Sequence, residues 1–276
     1  MKIIAIANQK GGVGKTTTAT SLGAEFAING YRTLIIDGDP QGNATKTFLR
    51  EDEIKTSLAD VLLTNPNQKS ASIVEKRLTT ALENLDIVPA TIALANFDRE
   101  PPLAIKKLRS CLKEVETEYD FVVIDTPPNF GLLLSAALIA SDLVLIPVQA
   151  APFALSGLGD LLTVIEDSRQ LNEKLEILGA ICTRYDARTK ISKESFAKLA
   201  ELSIARKFNV FDTVINQDTK LEASPGTNQP IQIFAPESRG AEEYAKLCNE
   251  ILQRLNHSIS LSANSALKIV RGSNKR

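Results

Sequence analysis

Short, almost wholly apolar runs recur along the chain, separated by longer stretches in which apolar residues return every three or four positions. The runs predict strands at Lys2–Asn8, Thr33–Asp37, Leu85–Pro89, Phe121–Asp125, Leu143–Val148, Ile177–Thr183 and Ile231–Phe234. IIAIA and FVVID are apolar nearly throughout, as expected of strands covered on both faces. The longer stretches predict helices at Thr16–Asn29, Leu103–Glu118, Leu132–Ala140, Leu155–Gln170, Ser192–Phe208 and Arg239–Asn256, with Gly30 as a C-cap. This alternation implies a single α/β domain: a doubly wound, mostly parallel sheet flanked by helices. Residues 51–80 are polar and irregular, and predict a surface excursion of short helices.

Composition narrows the chemistry. With 276 residues, 43% of them hydrophobic, the chain can bury a full core. Its 32 basic and 33 acidic residues nearly cancel, which argues against strong global attraction to nucleic acid or anionic lipid but leaves room for a local basic patch. Cys111, Cys182 and Cys248 lie far apart without paired spacing and suit reduced, buried thiols. His257 is the only histidine, which argues against a histidine metal site or a Ser-His triad. The opening MKIIAIAN lacks the apolar region and cleavage site of a signal peptide, and no run approaches the roughly 18 apolar residues of a membrane span. A cytoplasmic protein is expected.

Residues 257–276 differ from the rest. They hold Lys268, Arg271, Lys275 and Arg276, no acidic residue and many serines, so a solvated basic tail is expected after a domain covering residues 1–256. Ile259, Ala263, Ala266, Leu267 and Val270 fall on one helical face, which leaves a weak membrane-surface helix open, though no aromatic anchors it. A tail that assists binding to an acidic partner such as DNA is the third reading.

Three pieces at predicted strand ends carry the chemistry, where open α/β sheets place ligands. In ANQKGGVGKTTT, Gly11, Gly12 and Gly14 let backbone N–H groups curl around phosphate oxygens, and the helix after them aims its positive end at the same anion. Lys15 can reach the outer phosphates, and the Thr16 hydroxyl can ligate Mg²⁺. The loop departs from G-x-x-x-x-G-K-[ST] by holding Gln9 where the first glycine belongs, followed by a second cation, Lys10. In LIIDGDPQGN, Asp37 ends a strand and Asp39 follows across Gly38; one could support a metal while the other orients a water. In FVVIDTPP, Asp125 follows four apolar residues, the position of the Mg²⁺-supporting acid of phosphate-loop NTPases.

KGGVGKTT, DGDPQGN and VVIDTPPNF together resemble the ParA/MinD group of deviant Walker-type ATPases, and ParA-type partition ATPases most closely. The likeness runs from Met1 to about residue 255 and includes PVQAAPFALSGL, LGAICTRYDART and FAPESRGAEEYAKL. It implies a homodimer that sandwiches two ATP molecules with Mg²⁺, each Lys10 crossing to the partner's nucleotide. It implies nucleotide contacts from Lys10, Gly11, Gly12, Val13, Gly14, Lys15, Thr16 and Thr17, and an adenine pocket lined by Pro236 and Glu237. Lys10, Lys15 and Asp39 would be catalytic, with Asp39 positioning the hydrolytic water, and Thr16, Asp37 and Asp125 would form the metal site. The short form, without an N-terminal helix-turn-helix domain, is the expected comparison.

The resemblance also implies nucleoid association through non-specific DNA binding, and hydrolysis stimulated by a ParB-like or cargo adaptor protein. Residues 184–207 carry Arg184, Arg188, Lys190, Lys193, Lys198, Arg206 and Lys207 against Asp186, Glu194 and Glu201. Of these, Arg188, Lys190, Lys193, Arg206 and Lys207, with Lys220, are the candidate phosphate contacts, sequence-independent and salt-sensitive. The cargo would be a plasmid, a chromosome or a protein assembly such as carboxysomes. A MinD-like membrane-associated division regulator is the alternative. A cluster-binding relative like the nitrogenase iron protein lacks the matching cysteines, and an amide-forming synthetase would need a substrate pocket that no motif marks.

Overall fold

The computed structural model describes residues 1–63, 71–151 and 157–272, with side chains to residue 256. Eight strands form one sheet: β1 (Lys2–Ile6), β2 (Thr33–Asp37), β3 (Leu78–Thr79), β4 (Leu85–Val88), β5 (Phe121–Asp125), β6 (Leu143–Gln149), β7 (Glu176–Tyr185) and β8 (Val210–Asn216). Their order is β3-β4-β2-β5-β1-β6-β7-β8, with every pair parallel except β3 against β4. The helices are α1 (Lys15–Ile28), α2 (Asn43–Phe48), α3 (Leu58–Leu62), α4 (Ile73–Lys76), α5 (Lys107–Leu112), α6 (Leu132–Ala140), α7 (Leu158–Arg169), α8 (Lys190–Arg206), α9 (Thr219–Ala223), α10 (Ile231–Phe234) and α11 (Arg239–Gly272).

Alternate strand residues feed opposite cores, which is why the strands read as continuous apolar runs. Ile4, Ile6, Ile35, Phe121, Val123, Leu143 and Leu145 pack with α1, α10 and α11, where Phe26 and Phe121 stack with ring centroids 4.2 Å apart. On the other face, Leu34, Ile36, Val122 and Ile124 meet α3, α5 and α6. Val144, Ile146 and Val148 meet α6, α7 and α8. The doubly wound architecture is as the sequence implies.

Two expectations are corrected. Ile231–Phe234 is helical, not a strand. The seventh parallel position belongs instead to VFDTVIN, which forms β8. IQIF is a four-residue apolar run after Pro230, and length and periodicity alone do not separate a buried strand from a buried helical turn. The stretch 103–118 is not one helix but α5 flanked by 3-10 turns at Pro102–Lys106 and Lys113–Val115. The excursion at 51–80 contains the short helices α3 and α4, as expected, and also the edge strand β3. Helix α11 continues past the expected end at Asn256 to Gly272. Part of PVQAAPFALSGL and the start of the helix expected at Leu155 lie outside the described residues.

Candidate functional site

The strands converge on one pocket at their C-terminal ends. β1 leads into the glycine loop, in which Gly12 and Gly14 hold φ values of +74° and +86°, and the loop enters α1 at Lys15. The neighbouring strand end braces it: Thr183 Oγ1 donates to Val13 O at 2.8 Å, and Arg184 Nη1 to Gly12 O at 3.4 Å. Arg184 also pairs with Glu222. Asn8 pins the loop entrance, donating to Pro147 O at 2.7 Å and accepting from the Lys10 N–H at 3.0 Å. Gln9, in place of the first glycine, lies so close to Gly157 that a β-carbon there would fall 1.4 Å from Gln9 Nε2. The position therefore serves packing against the start of α7 rather than the phosphate curl.

Lys15 is 7% exposed, and its Nζ donates to Lys10 O at 3.2 Å. Burial lowers its pKa, while the charges of Asp125 and Asp39 oppose that shift. Gly38 crosses the end of β5 closely enough to donate its N–H to Asp125 O at 3.0 Å; a β-carbon at Gly38 would lie 2.6 Å from that oxygen. This approach carries the DGDPQGN segment over the sheet and brings Asp39 to the pocket wall.

The two strand-end aspartates differ. Asp37 Oδ1 accepts from Asp39 N at 3.1 Å, and Oδ2 accepts from Thr45 N and Thr45 Oγ1, both at 2.7 Å. Its carboxylate is spent on holding α2 and its loop. Asp125 is fully buried, and neither carboxylate oxygen finds a hydrogen-bond partner of good geometry. Burial, then the charge of Asp37, pushes its carboxyl well above the usual range, with Thr16 and Lys15 opposing. A buried carboxylate left unpaired is costly unless a cation or proton answers it. The donors present fit a hard cation held partly by protein oxygen and partly by a ligand's own oxygens. No cluster of three or more His, Cys, Asp or Glu able to hold a metal alone occurs among the described residues.

The pocket has a volume of about 480 Å³. Gly11, Gly12, Gly14, Lys15, Thr16 and Thr17 line it, together with Asp39 and Arg184. Lys10 is half-buried and is not on the wall of its own pocket. Pro236 and Glu237 lie in a separate depression with Lys220; the far end of the pocket is built by Ile215, Asn216, Leu221 and Pro225 instead. Sequence reading missed these residues because β8 was not recognised, although the alternation in VFDTVIN before Asn216 was the available signal. Helix α11 supports this end: Tyr244 Oη lies 3.1 Å from Thr18 Oγ1 on α1.

The basic candidates are scattered along α8 and its flanks. Arg188 makes a two-pronged pair with Asp186 at 2.9 and 2.8 Å, and Lys190 lies 3.5 Å from Glu194. Lys193, Arg206, Lys207 and Lys220 are exposed and in no ion pair among the described residues. No helix among the described residues is long and apolar enough to cross a membrane.

Comparison with known proteins agrees with this geometry. The family model of an AAA domain matches residues 1–177. The sporulation initiation inhibitor protein Soj of Bacillus subtilis (strain 168) is 40% identical over 255 residues, covering 91% of this chain and 98% of Soj. The chromosome partitioning protein ParA of Caulobacter vibrioides (strain NA1000 / CB15N) is 37% identical over 261 residues, covering 92% of this chain and 95% of that protein. Among solved structures, cobyrinic acid a,c-diamide synthase from Mycobacterium smegmatis with bound ATP analog and magnesium has a TM-score of 0.79 at 30% identity, covering 93% of this chain and 96% of that one. With its glycine loop, paired strand-end aspartates and near full-length matches to Soj and ParA, the chain belongs to the ParA/Soj family of AAA-domain partitioning ATPases.

Proposed function

We propose that this protein is an ATP-hydrolysing partition ATPase whose ATP-bound homodimer binds DNA without sequence preference and positions a DNA or protein cargo. The observation that carries the catalytic reading is Asp125, buried without a partner beside Lys15 and Thr16. Thr16 and Asp125 would hold Mg²⁺, with Asp37 acting through its charge and its hold on the loop; the ion would neutralise phosphate charge. Lys15 and the N–H groups from Gly11 to Thr17 bind the phosphates. Asp39, fixed by its Oδ1 accepting from Gln41 N at 2.9 Å, orients the attacking water.

Lys10 supports a two-chain site. It stands next to the loop, yet off the wall of its own pocket, so its ammonium is available to a partner's nucleotide. Each bound ATP would then favour the dimer by mass action. Lys193, Arg206, Lys207 and Lys220, with the paired Arg188 and Lys190 contributing less, supply phosphate contacts. Residues 1–256 form the ATPase domain and 257–276 a basic tail. A ParB-like or cargo adaptor protein stimulates turnover, and the assembly works in the cytoplasm on the nucleoid. The partitioning relatives, at 40% and 37% identity, outrank the synthase at 30%, which favours partition over amide formation. Co-sedimentation with DNA and with liposomes, each with and without ATP, tests the reading. ATP-dependent pelleting with DNA is expected; pelleting with lipid alone would replace it by the membrane-regulator alternative.

A further inference from the structure

The far end of the pocket carries one polar side chain whose orientation is forced. β8 delivers Asn216 to the wall beside the apolar Ile215, Leu221 and Pro225. Asn216 Nδ2 donates to Glu243 Oε1 at 2.5 Å, and its backbone N–H donates to Glu243 Oε2 at 2.7 Å. Arg239 Nε donates to the same Oε1 at 2.7 Å, so both Glu243 oxygens already accept from an N–H. With Oε1 and Oε2 both engaged as acceptors, turning the amide over would set oxygen against oxygen. Asn216 Oδ1 therefore points away from Glu243 and has no hydrogen-bond partner among the described residues. Nor is it sealed off, because the buried unpartnered side-chain atoms among the described residues belong to Asp125 and Gln232. The Asn216 acceptor thus stands among the apolar Ile215, Leu221 and Pro225, on a wall that Gln217, Asp218 and Glu222 also line.

We propose that Asn216 reads position six of a purine base, resting on the nucleotide reading of this pocket. Its Oδ1 accepts from the exocyclic amino group of adenine and meets the six-oxo group of hypoxanthine or guanine as a second acceptor. Glu243 and Arg239 are positioning residues that lock the amide. A donor-acceptor match of this kind discriminates because the wrong base leaves a desolvated acceptor unpaired.

ATP and ITP form the cleanest probe pair, since they differ only at position six and in the accompanying N1 proton. Dissociation constants of both, with Mg²⁺ and the full chain, should favour ATP by at least about tenfold. Asn216→Ala should bring the ratio near one, mainly by weakening ATP. Glu243→Gln can donate to Oδ1 and so release the amide to turn; its ratio should fall or invert. Circular dichroism establishes that each variant is folded, and either one suffices if the other is not. Equal affinities in the wild type, or a wild-type ratio in a folded Asn216→Ala variant, would overturn the assignment. Failure of a folded wild type to bind either nucleotide would overturn the nucleotide reading itself.

Discussion

Asp37 and Asp125 are register partners at the C-terminal ends of adjacent parallel strands, both fully buried, yet one is saturated with hydrogen bonds and the other has none. Asp37 fixes the loop that carries Asp39, while the Asp125 carboxylate finds no partner of good geometry.

This pairing sets a pH dependence. Burial raises the Asp37 pKa to about 6 from 3.8, and Asp125 is raised well above its usual value by burial and by Asp37. Such groups bind more protons folded than unfolded, so their contribution is full below the unfolded value and is lost as pH rises through the folded one. Between about pH 4 and pH 7, nucleotide-free wild type should lose stability relative to Asp125→Asn. Urea midpoints of both proteins across that window measure it; a gap that does not change with pH refutes it.

Thr45 ties Asp37 to the loop after β4. Its hydroxyl donates to Asp37 and accepts from Ala90 N at 2.9 Å in a buried setting. Thr45→Val should cost about 2–3 kcal/mol by leaving a carboxylate oxygen and an N–H short of partners. Urea unfolding gives the value, and a change below about 0.5 kcal/mol would contradict the geometry.

The cations and Asp39 separate binding from turnover. Lys15→Ala should weaken ATP at least about a hundredfold, since a buried charge-assisted contact is removed. Lys10→Ala should still bind ATP as a monomer but dimerise poorly and hydrolyse about a thousandfold more slowly. Asp39→Ala should accumulate as an ATP-bound dimer with turnover reduced about 10²–10⁴-fold. Nucleotide titration, sedimentation velocity and phosphate release distinguish the three; unchanged dimerisation in the Lys10 variant would return that residue to its own chain.

On the basic surface, unpaired cations should matter more than paired ones. Substituting Lys193, Arg206 and Lys207 together by Ala should lower the slope of log affinity against log salt by about 3. Arg188→Ala, which removes a cation already paired with Asp186, should lower it by less than about 1. Equal slopes in all three proteins would place the DNA surface elsewhere.

Much of this site was legible because phosphate chemistry is local. A strand, a glycine curl and a helix start are contiguous, so ANQKGGVGKTTT announces them without tertiary information. Asp37 and Asp125 were also legible as the last residues of apolar strands. Their different burdens were not, because Thr45 reaches Asp37 from eight residues away while no donor of good geometry reaches Asp125. Pro236 and Glu237 fall in a separate depression, because which residues face the pocket depends on how α10 turns, and IQIF carries no periodic signal of that turn.

By itself the sequence determined the doubly wound class, the phosphate loop and the strand-end acids, since each follows from residues close together in the chain. Only the tertiary structure decided which carboxylate stays unpaired, that Gln9 packs against Gly157, and that Asn216 is locked by Glu243 on α11. These are contacts between segments whose pairing no local pattern encodes. They arise when the sheet order brings the end of β8, the start of α11 and the loop after β1 to the same edge.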